Sequence, residues 1–289
     1  MEGTVKYIKT NDLYTSEHWS DVVRKNGGWN DTTAEGRGWL NCNIHYKDKC
    51  PFFNNRREGL TQNGEEGIID RIFEKIGFTN KICVDLGAWD GKWLSNTYFL
   101  RKKYGFGRLL IEGDPRKKIH DSCGDERITY SLISSRNINS LLKEIPDSFD
   151  FLSIDIDGDD YWVLKALEKK PRCIILEYAC GIPNNLSLVC KEGHSTVNSY
   201  KYNTPGMPPE PNGYYGANML AFGRLLNNKG YKFVTSLADN MFFVKNEEFE
   251  KLGIDEITEK DMMDNYFNAS RYWSEHLGDK QNNEWIIME

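Results

Sequence analysis

Apolar residues first settle into a sustained period at Ile68, Ile69, Ile72, Phe73 and Ile76. From Ile69, the last three sit at i+3, i+4 and i+7, the stripe of one helix face, and Gly77 closes the run. After it the pattern changes. Short apolar runs bounded by glycine, proline or charge predict strands over Ile82–Leu86, Arg108–Ile111, Ile128–Ile133, Asp150–Ile156 and Cys173–Leu176. Between them the sequence predicts helices over Ser95–Tyr104, Pro115–Cys123, Ile138–Ile145 and Tyr161–Leu167. A further predicted helix, Ala217–Asn228, precedes two strands, Tyr231–Ser236 and Asn240–Lys245, that read as a hairpin around Ala238 and Asp239. Strands alternating with helices predict the α/β class: a doubly wound, mostly parallel Rossmann-like sheet with a C-terminal antiparallel hairpin.

Outside this alternation the periodicity fades. Residues 1–60 are polar, aromatic and glycine-dotted, with Trp19, Trp29 and Trp39 and one short helix expected over Ser16–Lys25, and they read as an N-terminal extension or cap. The alternating part spans 61–246 and is expected to be one domain. Within it, 180–213 is rich in Pro, Gly, Asn and Ser and is too long for a plain connector, so a lid over the acceptor side of a site is expected. The last segment, 247–289, is acidic and aromatic, with Tyr266, Phe267, Tyr272, Trp273 and Trp285, and reads as a helical tail for packing or a homo-oligomer contact.

Composition narrows the class. A chain of 289 residues with 28% charged and 13% aromatic residues has the makeup of a folded enzyme rather than a disordered protein. A net charge of −6 gives no basic surface for general nucleic-acid binding. No apolar run is long enough to span a membrane, and MEGTVKYIKT has no signal core, so a cytoplasmic protein is expected. The 7 cysteines include no C-x-x-C pair and read as free thiols. Cys42, His45 and Cys50 lack a fourth ligand at regular spacing and are not read as a zinc site.

Candidate chemistry gathers at the ends of the predicted strands. The stretch KICVDLGAWDGKWL, Lys81–Leu94, is a strand, a glycine turn and a helix start, the usual docking place for a small ligand in an open α/β sheet. Its glycines, Gly87 and Gly91, do not make the G-x-G-x-x-G of a dinucleotide site. The D-x-G-x-x-x-G spacing, with Asp85 ahead of Gly87 and Ala88, suits S-adenosylmethionine, whose ammonium and hydroxyl groups favour a nearby carboxylate. One strand later, Glu112 and Gly113 stand where a carboxylate can accept from both ribose hydroxyls. Ser131–Ser135, including Ser134, would lie near an adenine, and Gln62, Gly64 and Glu65 can reach the ligand or simply cap the helix.

A second centre is DFLSIDIDGDDYW, in which Asp155, Asp157, Asp159 and Asp160 crowd the end of one strand. Such a cluster needs a cation or solvent to offset its repulsion. Its glycine and the residue at its twelfth position, Ala166, exclude an EF-hand. The neighbouring strand ends in Glu177–Tyr178, so Asp155, Asp157 and Glu177 are candidates to hold Mg2+ or Mn2+, or to supply a general base. The same Asp155-x-Asp157 also fits a metal-dependent glycosyltransferase. Tyr178, Asn184, His194 and Tyr200 are candidate acceptor contacts.

In order, these pieces resemble the FkbM-type S-adenosylmethionine-dependent methyltransferases. The resemblance covers Gln62 to Lys245 and rests on QNGEEGIIDRIFEKIG, VDLGAWDG, LLIEGDP, SIDIDGDDYWVLKAL, ILEY, and YYGANMLAFGRLLNNKGYKFV before MFFV. It implies a methyltransferase-type sheet in which Asp85, Gly87 and Gly91 surround the methionine end of the cofactor and Glu112 takes the ribose. It also implies an acceptor side at Asp155, Asp157 and Glu177, with O-methylation of a sugar, glycan or other small-molecule hydroxyl as the reaction. The family block is closer to I-D-x-E-G, and here Asp157 replaces the glutamate. Two rival readings are a glycosyltransferase-like enzyme and a methyltransferase-like binding protein without catalysis.

Overall fold

A computed structural model describes residues 5–9, 12, 51–57, 59–114, 127–180, 182, 184–193, 214–264 and 282–289. Its strands are β1 (Lys6–Lys9), β2 (Ile82–Leu86), β3 (Gly107–Glu112), β4 (Ile128–Tyr130), β5 (Phe151–Ile154), β6 (Cys173–Glu177), β7 (Leu188–Val189), β8 (Tyr231–Leu237), β9 (Asn240–Lys245) and β10 (Glu284–Ile287). Its α-helices are α1 (Glu65–Ile76), α2 (Tyr98–Tyr104), α3 (Ile138–Leu141), α4 (Asp160–Ala166), α5 (Met219–Asn228), α6 (Asn246–Leu252) and α7 (Glu259–Asp264). Seven strands form one sheet in the order β4-β3-β2-β5-β6-β9-β8, and β9 alone runs opposite to the other six. The chain winds outward from β2 through β3 to β4, then returns to β5 on the other side of β2. The expected doubly wound, mostly parallel Rossmann-like sheet, with its terminal hairpin, is therefore present, and its switch point lies between β2 and β5.

The apolar stripe of α1 is buried as its spacing requires: Ile68, Ile69, Ile72 and Phe73 lie in the main core, while Glu74 and Lys75 face water. Central strands covered on both faces read as nearly continuous apolar runs, and Cys83, Val84, Leu86, Phe151, Leu152, Ile174 and Ile175 are all buried. The opposite edge of the sheet from the candidate site is tied by one cation. Arg172 donates from Nη1 to Asp150 Oδ1 (2.8 Å), from Nε to Glu248 Oε1 (2.7 Å) and from Nη2 to the Ile76 carbonyl (2.8 Å). Asp150 also accepts from the backbone N–H groups of Thr79, Asn80 and Lys81. The lead-in to β2, the end of α1 and strands β5 and β6 are thereby fixed to one another.

Several boundaries differ from the sequence reading for local reasons. Helix α2 begins at Tyr98 rather than Ser95, because Ser95 and Thr97 direct their hydroxyls to Asp85. Strand β4 stops at Tyr130, and beyond it Asn137 bonds back to the Leu132 carbonyl and accepts from Ser134. The tail contains α6 and α7 and, in addition, β10, which pairs with β1 and with β7 of the 180–213 insertion in a separate three-stranded sheet. Trp285 on β10 is fully buried there against Tyr214 (ring centroids 4.8 Å apart). The expected helices at 16–25 and 115–123, the tryptophans of the extension and the triad Cys42, His45 and Cys50 lie outside the described residues. No helix among the described residues is long and apolar enough to cross a membrane.

Candidate functional site

The glycine turn after β2 is held by backbone geometry. Gly87 has φ +88°, and a Cβ there would stand 1.5 Å from the Asp155 carbonyl oxygen, so only glycine permits β2 and β5 to approach at the switch point. The N–H groups of Gly87 and Ala88 both donate to the Ile111 carbonyl (2.9 and 3.0 Å). Glu112 at the tip of β3 accepts from Trp89 N and Asp114 N (both 2.8 Å), so its buried carboxylate ties the glycine loop to the neighbouring strand end. Asp85 accepts from Ser95 Oγ (2.9 Å) and Thr97 Oγ1 (2.8 Å); burial raises its pKa, and these two donors oppose the shift. Asp85 thus shapes the loop that carries Gly91, rather than presenting a bare carboxylate to solvent.

The aspartates after β5 divide into two pairs. Asp160 accepts from Ile156 N (3.0 Å) and Gly158 N (2.9 Å), and Asp159 accepts from Gly193 N, so these two fold the loop and anchor the insertion. Asp157 sits at φ +53° at the crest of the turn. Asp155 and Asp157 are left on the rim, where they meet Glu177 from the tip of β6, with one ligand oxygen from each lying within 4.8 Å of the others.

All three rim carboxylates keep some solvent contact, yet the setting of Asp155 and Glu177 strongly disfavours charge. The pKa of Asp155 is raised well above its ordinary value by burial first and then by the charges of Asp157, Asp160 and Asp239. Glu177 is raised likewise, by burial and then by Asp155 and Asp157. Asp239, in the β8–β9 turn, is pushed up to about 7 by burial and by Glu65, and Asp160 to about 6 by burial against the pull of its two backbone donors. The Tyr215 phenol faces the same cluster and is raised by burial and by Glu177.

The sheet brings the remaining candidates to the same edge in different conditions. Gln62 is exposed; Glu65 is fully buried and accepts from Asn63 and Asn240. Gly113 packs near Leu132, and Ser134 donates to Asn137. Tyr178 belongs to the main core, and Asn184 accepts from Met219 N to start α5. His194 and Tyr200 lie outside the described residues. Asp239 and Tyr215 are the participants sequence reasoning missed. Asp239 arrives only because Asn240 pairs with Glu177 across β6 and β9, a register no local pattern encodes.

The donor set fits a hard divalent cation. Three carboxylate oxygens converge, Glu177 Oε2 is buried without a hydrogen-bond partner, and the surrounding charge is unbalanced. It also fits a cationic nucleoside cofactor, for which buried acceptors without donors and a strand-tip carboxylate are the chemically matched groups.

No protein-family model matches the chain, and no curated protein matches it. Among solved structures it is similar to the N-terminal domain of EvdMO1 with SAH bound: 16% identity, TM-score 0.37, covering 61% of this chain and 79% of that one. The same domain in the presence of SAH and D-fucose gives 16% identity and TM-score 0.36, covering 61% and 81%. LepI in complex with SAM gives 12% identity and TM-score 0.31, covering 81% and 62%. Likeness at this level leaves function to the chain's own residues.

Proposed function

We propose that this chain is an S-adenosylmethionine-dependent methyltransferase acting on a hydroxyl of a sugar, glycan or other small molecule. The observation that carries the reading is the joining of two unlike sites at one switch point. A glycine loop held by Glu112 lies on the β2–β3 side, and an acidic rim lies on the β5–β6 side, with the Gly87–Asp155 contact between them. When bound, the cofactor supplies a methyl group on a positively charged sulfur, a good leaving group for an attacking hydroxyl oxygen.

The chain's residues supply position, charge and a proton acceptor. Glu112 is suited to ribose hydroxyls, because a carboxylate oxygen already accepting one backbone N–H keeps further lone pairs. The acidic rim favours positive charge near it. Asp155 and Glu177, whose pKa values are raised by burial and by their acidic neighbours, are stronger proton acceptors than ordinary carboxylates and are suited to take the acceptor's hydroxyl proton. With Mg2+ or Mn2+ on Asp155, Asp157 and Glu177, the acceptor oxygen would instead be oriented and acidified by the ion.

Calorimetry with S-adenosylhomocysteine tests the cofactor, and binding is expected. A folded sample that ignores it but binds a nucleoside diphosphate with Mn2+ returns the glycosyltransferase reading; cofactor binding with no turnover on any acceptor returns the non-catalytic one.

A further inference from the structure

Residues 71–108 carry eight lysines and arginines against three acidic residues, one of them the buried Asp85, in a chain whose net charge is −6. The overall charge therefore hides a basic stretch. Its cations lie on aromatic rings: Lys92 over Trp93, Arg101 and Lys102 over Tyr98, and Lys103 over Tyr104, at 4.7–5.6 Å from the ring centroids. Lys103 shares its one carboxylate, Asp70, with Arg57, so this pairing leaves positive charge over.

The same stretch ends in an exposed apolar tip. Three of the six large apolar side chains exposed among the described residues are Trp89, Trp93 and Leu94, at 38%, 51% and 44% exposure. Trp89 and Leu94 sit at φ +48° and +59°, left-handed values that bulky residues rarely adopt. Backbone bonds hold the loop in this form. Trp89 N donates to Glu112, Leu94 N donates to Leu60 O (2.8 Å), and Asp90 Oδ1 accepts from Lys92 N and Trp93 N (both 2.8 Å). Arg101, bonded to the Gly91 carbonyl and stacked on Tyr98, joins the tip to Lys102 on α2. A tied loop that keeps contiguous apolar side chains in water marks an interaction surface.

Its chemistry selects the partner. Indole and leucine side chains partition into the headgroup boundary of a bilayer, and lysines beside them meet anionic phosphates. A single-stranded nucleic acid would engage the cations and the indole faces, but Leu94 has no ring on which a base could stack. We infer that the 89–94 loop and Lys102 form a docking surface for an anionic lipid bilayer. The loop follows β2 at the carboxyl edge of the sheet, and the acidic rim stands at the same edge toward β6. Docking there brings that edge to the membrane while the rim stays off the contact. The inference does not depend on the methyltransferase reading.

The test is co-sedimentation of the full chain with vesicles of phosphatidylcholine containing about 30% phosphatidylserine, and with vesicles of phosphatidylcholine alone. Wild type is expected to bind the anionic vesicles at least about tenfold more tightly, and to release them as salt is raised. Lys92→Glu combined with Lys102→Glu should weaken binding by about 25-fold or more, at about fivefold per cation. Trp93→Ser combined with Leu94→Ser leaves the charge unchanged and should weaken it by about tenfold through lost apolar insertion. All four side chains are at least partly exposed, so the melting temperature without vesicles should hold in both variants; Trp93→Gln alone carries the apolar arm if the double serine variant is less stable. No binding of wild type, equal binding to the two kinds of vesicle, or full retention by either variant overturns the inference. Binding to a single-stranded oligonucleotide without binding to vesicles overturns it in favour of a nucleic-acid partner.

Discussion

Lowering the pH from 7 to 5, in a chelator-containing buffer, should make this protein more stable. Asp239 and Asp160 have folded-state pKa values of about 7 and about 6 against an ordinary value of 3.8. The folded state therefore binds protons that the unfolded state releases, and stability is fully present below the ordinary value and is lost as pH rises through the folded ones. Each proton of difference changes stability by about 1.4 kcal/mol per pH unit. Between pH 5 and 7, Asp239 contributes across two units and Asp160 across one, for a loss of about 4 kcal/mol on raising the pH. Asp155 and Glu177, raised in the same direction, add to the decline. The carboxylates shifted downward, among them Asp70 and Glu248, act in the opposite sense but only below the ordinary carboxylate range. Urea unfolding at pH 5, 6, 7 and 8 measures the slope. Adding Mg2+ or Mn2+ at pH 8 should recover much of the loss, since a ligand bound only by the folded state stabilises it by mass action. Stability that is flat or rising from pH 5 to 7 without a cation would refute the account of the cluster; no recovery with either ion would refute the cation site alone.

Three substitutions probe the frame around the site. Gly87→Ala should destabilise by about 2–6 kcal/mol, combining a left-handed φ with overlap on the Asp155 carbonyl, and an unchanged urea midpoint would contradict the close approach of β2 and β5. Arg172→Ala should cost about 3–5 kcal/mol by removing the buried cation shared by Asp150 and Glu248, which keep only the N–H groups of Thr79, Asn80 and Lys81 and the Lys251 ammonium; a loss under about 1 kcal/mol would show the hub to be dispensable. Glu112→Gln turns an NH2 group toward one of the two backbone N–H groups from which the carboxylate accepts, so it should cost about 1–3 kcal/mol of stability as well as weakening S-adenosylhomocysteine binding about tenfold. Equal affinity in calorimetry would remove Glu112 from the ribose role.

What the sequence made legible follows from locality. The stripe at Ile68–Ile76 and the apolar runs of β2, β5 and β6 encode their own burial, so these elements and their order could be read directly, and with them the switch point. The ends of elements were read less well wherever a side chain reached across the sheet: Ser95 and Thr97 have ordinary helical spacing, and only the presence of Asp85 beneath them holds them out of α2. The small sheet of β1, β7 and β10 was illegible because its strands are short and come from distant parts of the chain, so no window of sequence contains a pair.

The site divides along the same line. Four aspartates after β5 look alike in sequence, and their spacing does not tell which fold the loop. The backbone N–H groups of Ile156, Gly158 and Gly193 decide it by claiming Asp160 and Asp159, which leaves Asp155 and Asp157 at the rim. Asp239 then enters from the other end of the chain through the pairing of β6 with β9, and it reaches Asn63 at the start of α1. The acidic rim and the entrance to the glycine loop are thereby one hydrogen-bonded unit. A substitution at Asp239 should consequently disturb both cation stabilisation and cofactor affinity, whereas Glu177→Gln should affect the first far more than the second; calorimetry of the two variants with Mg2+ and with S-adenosylhomocysteine separates the roles, and identical profiles would dissolve the distinction between rim and entrance.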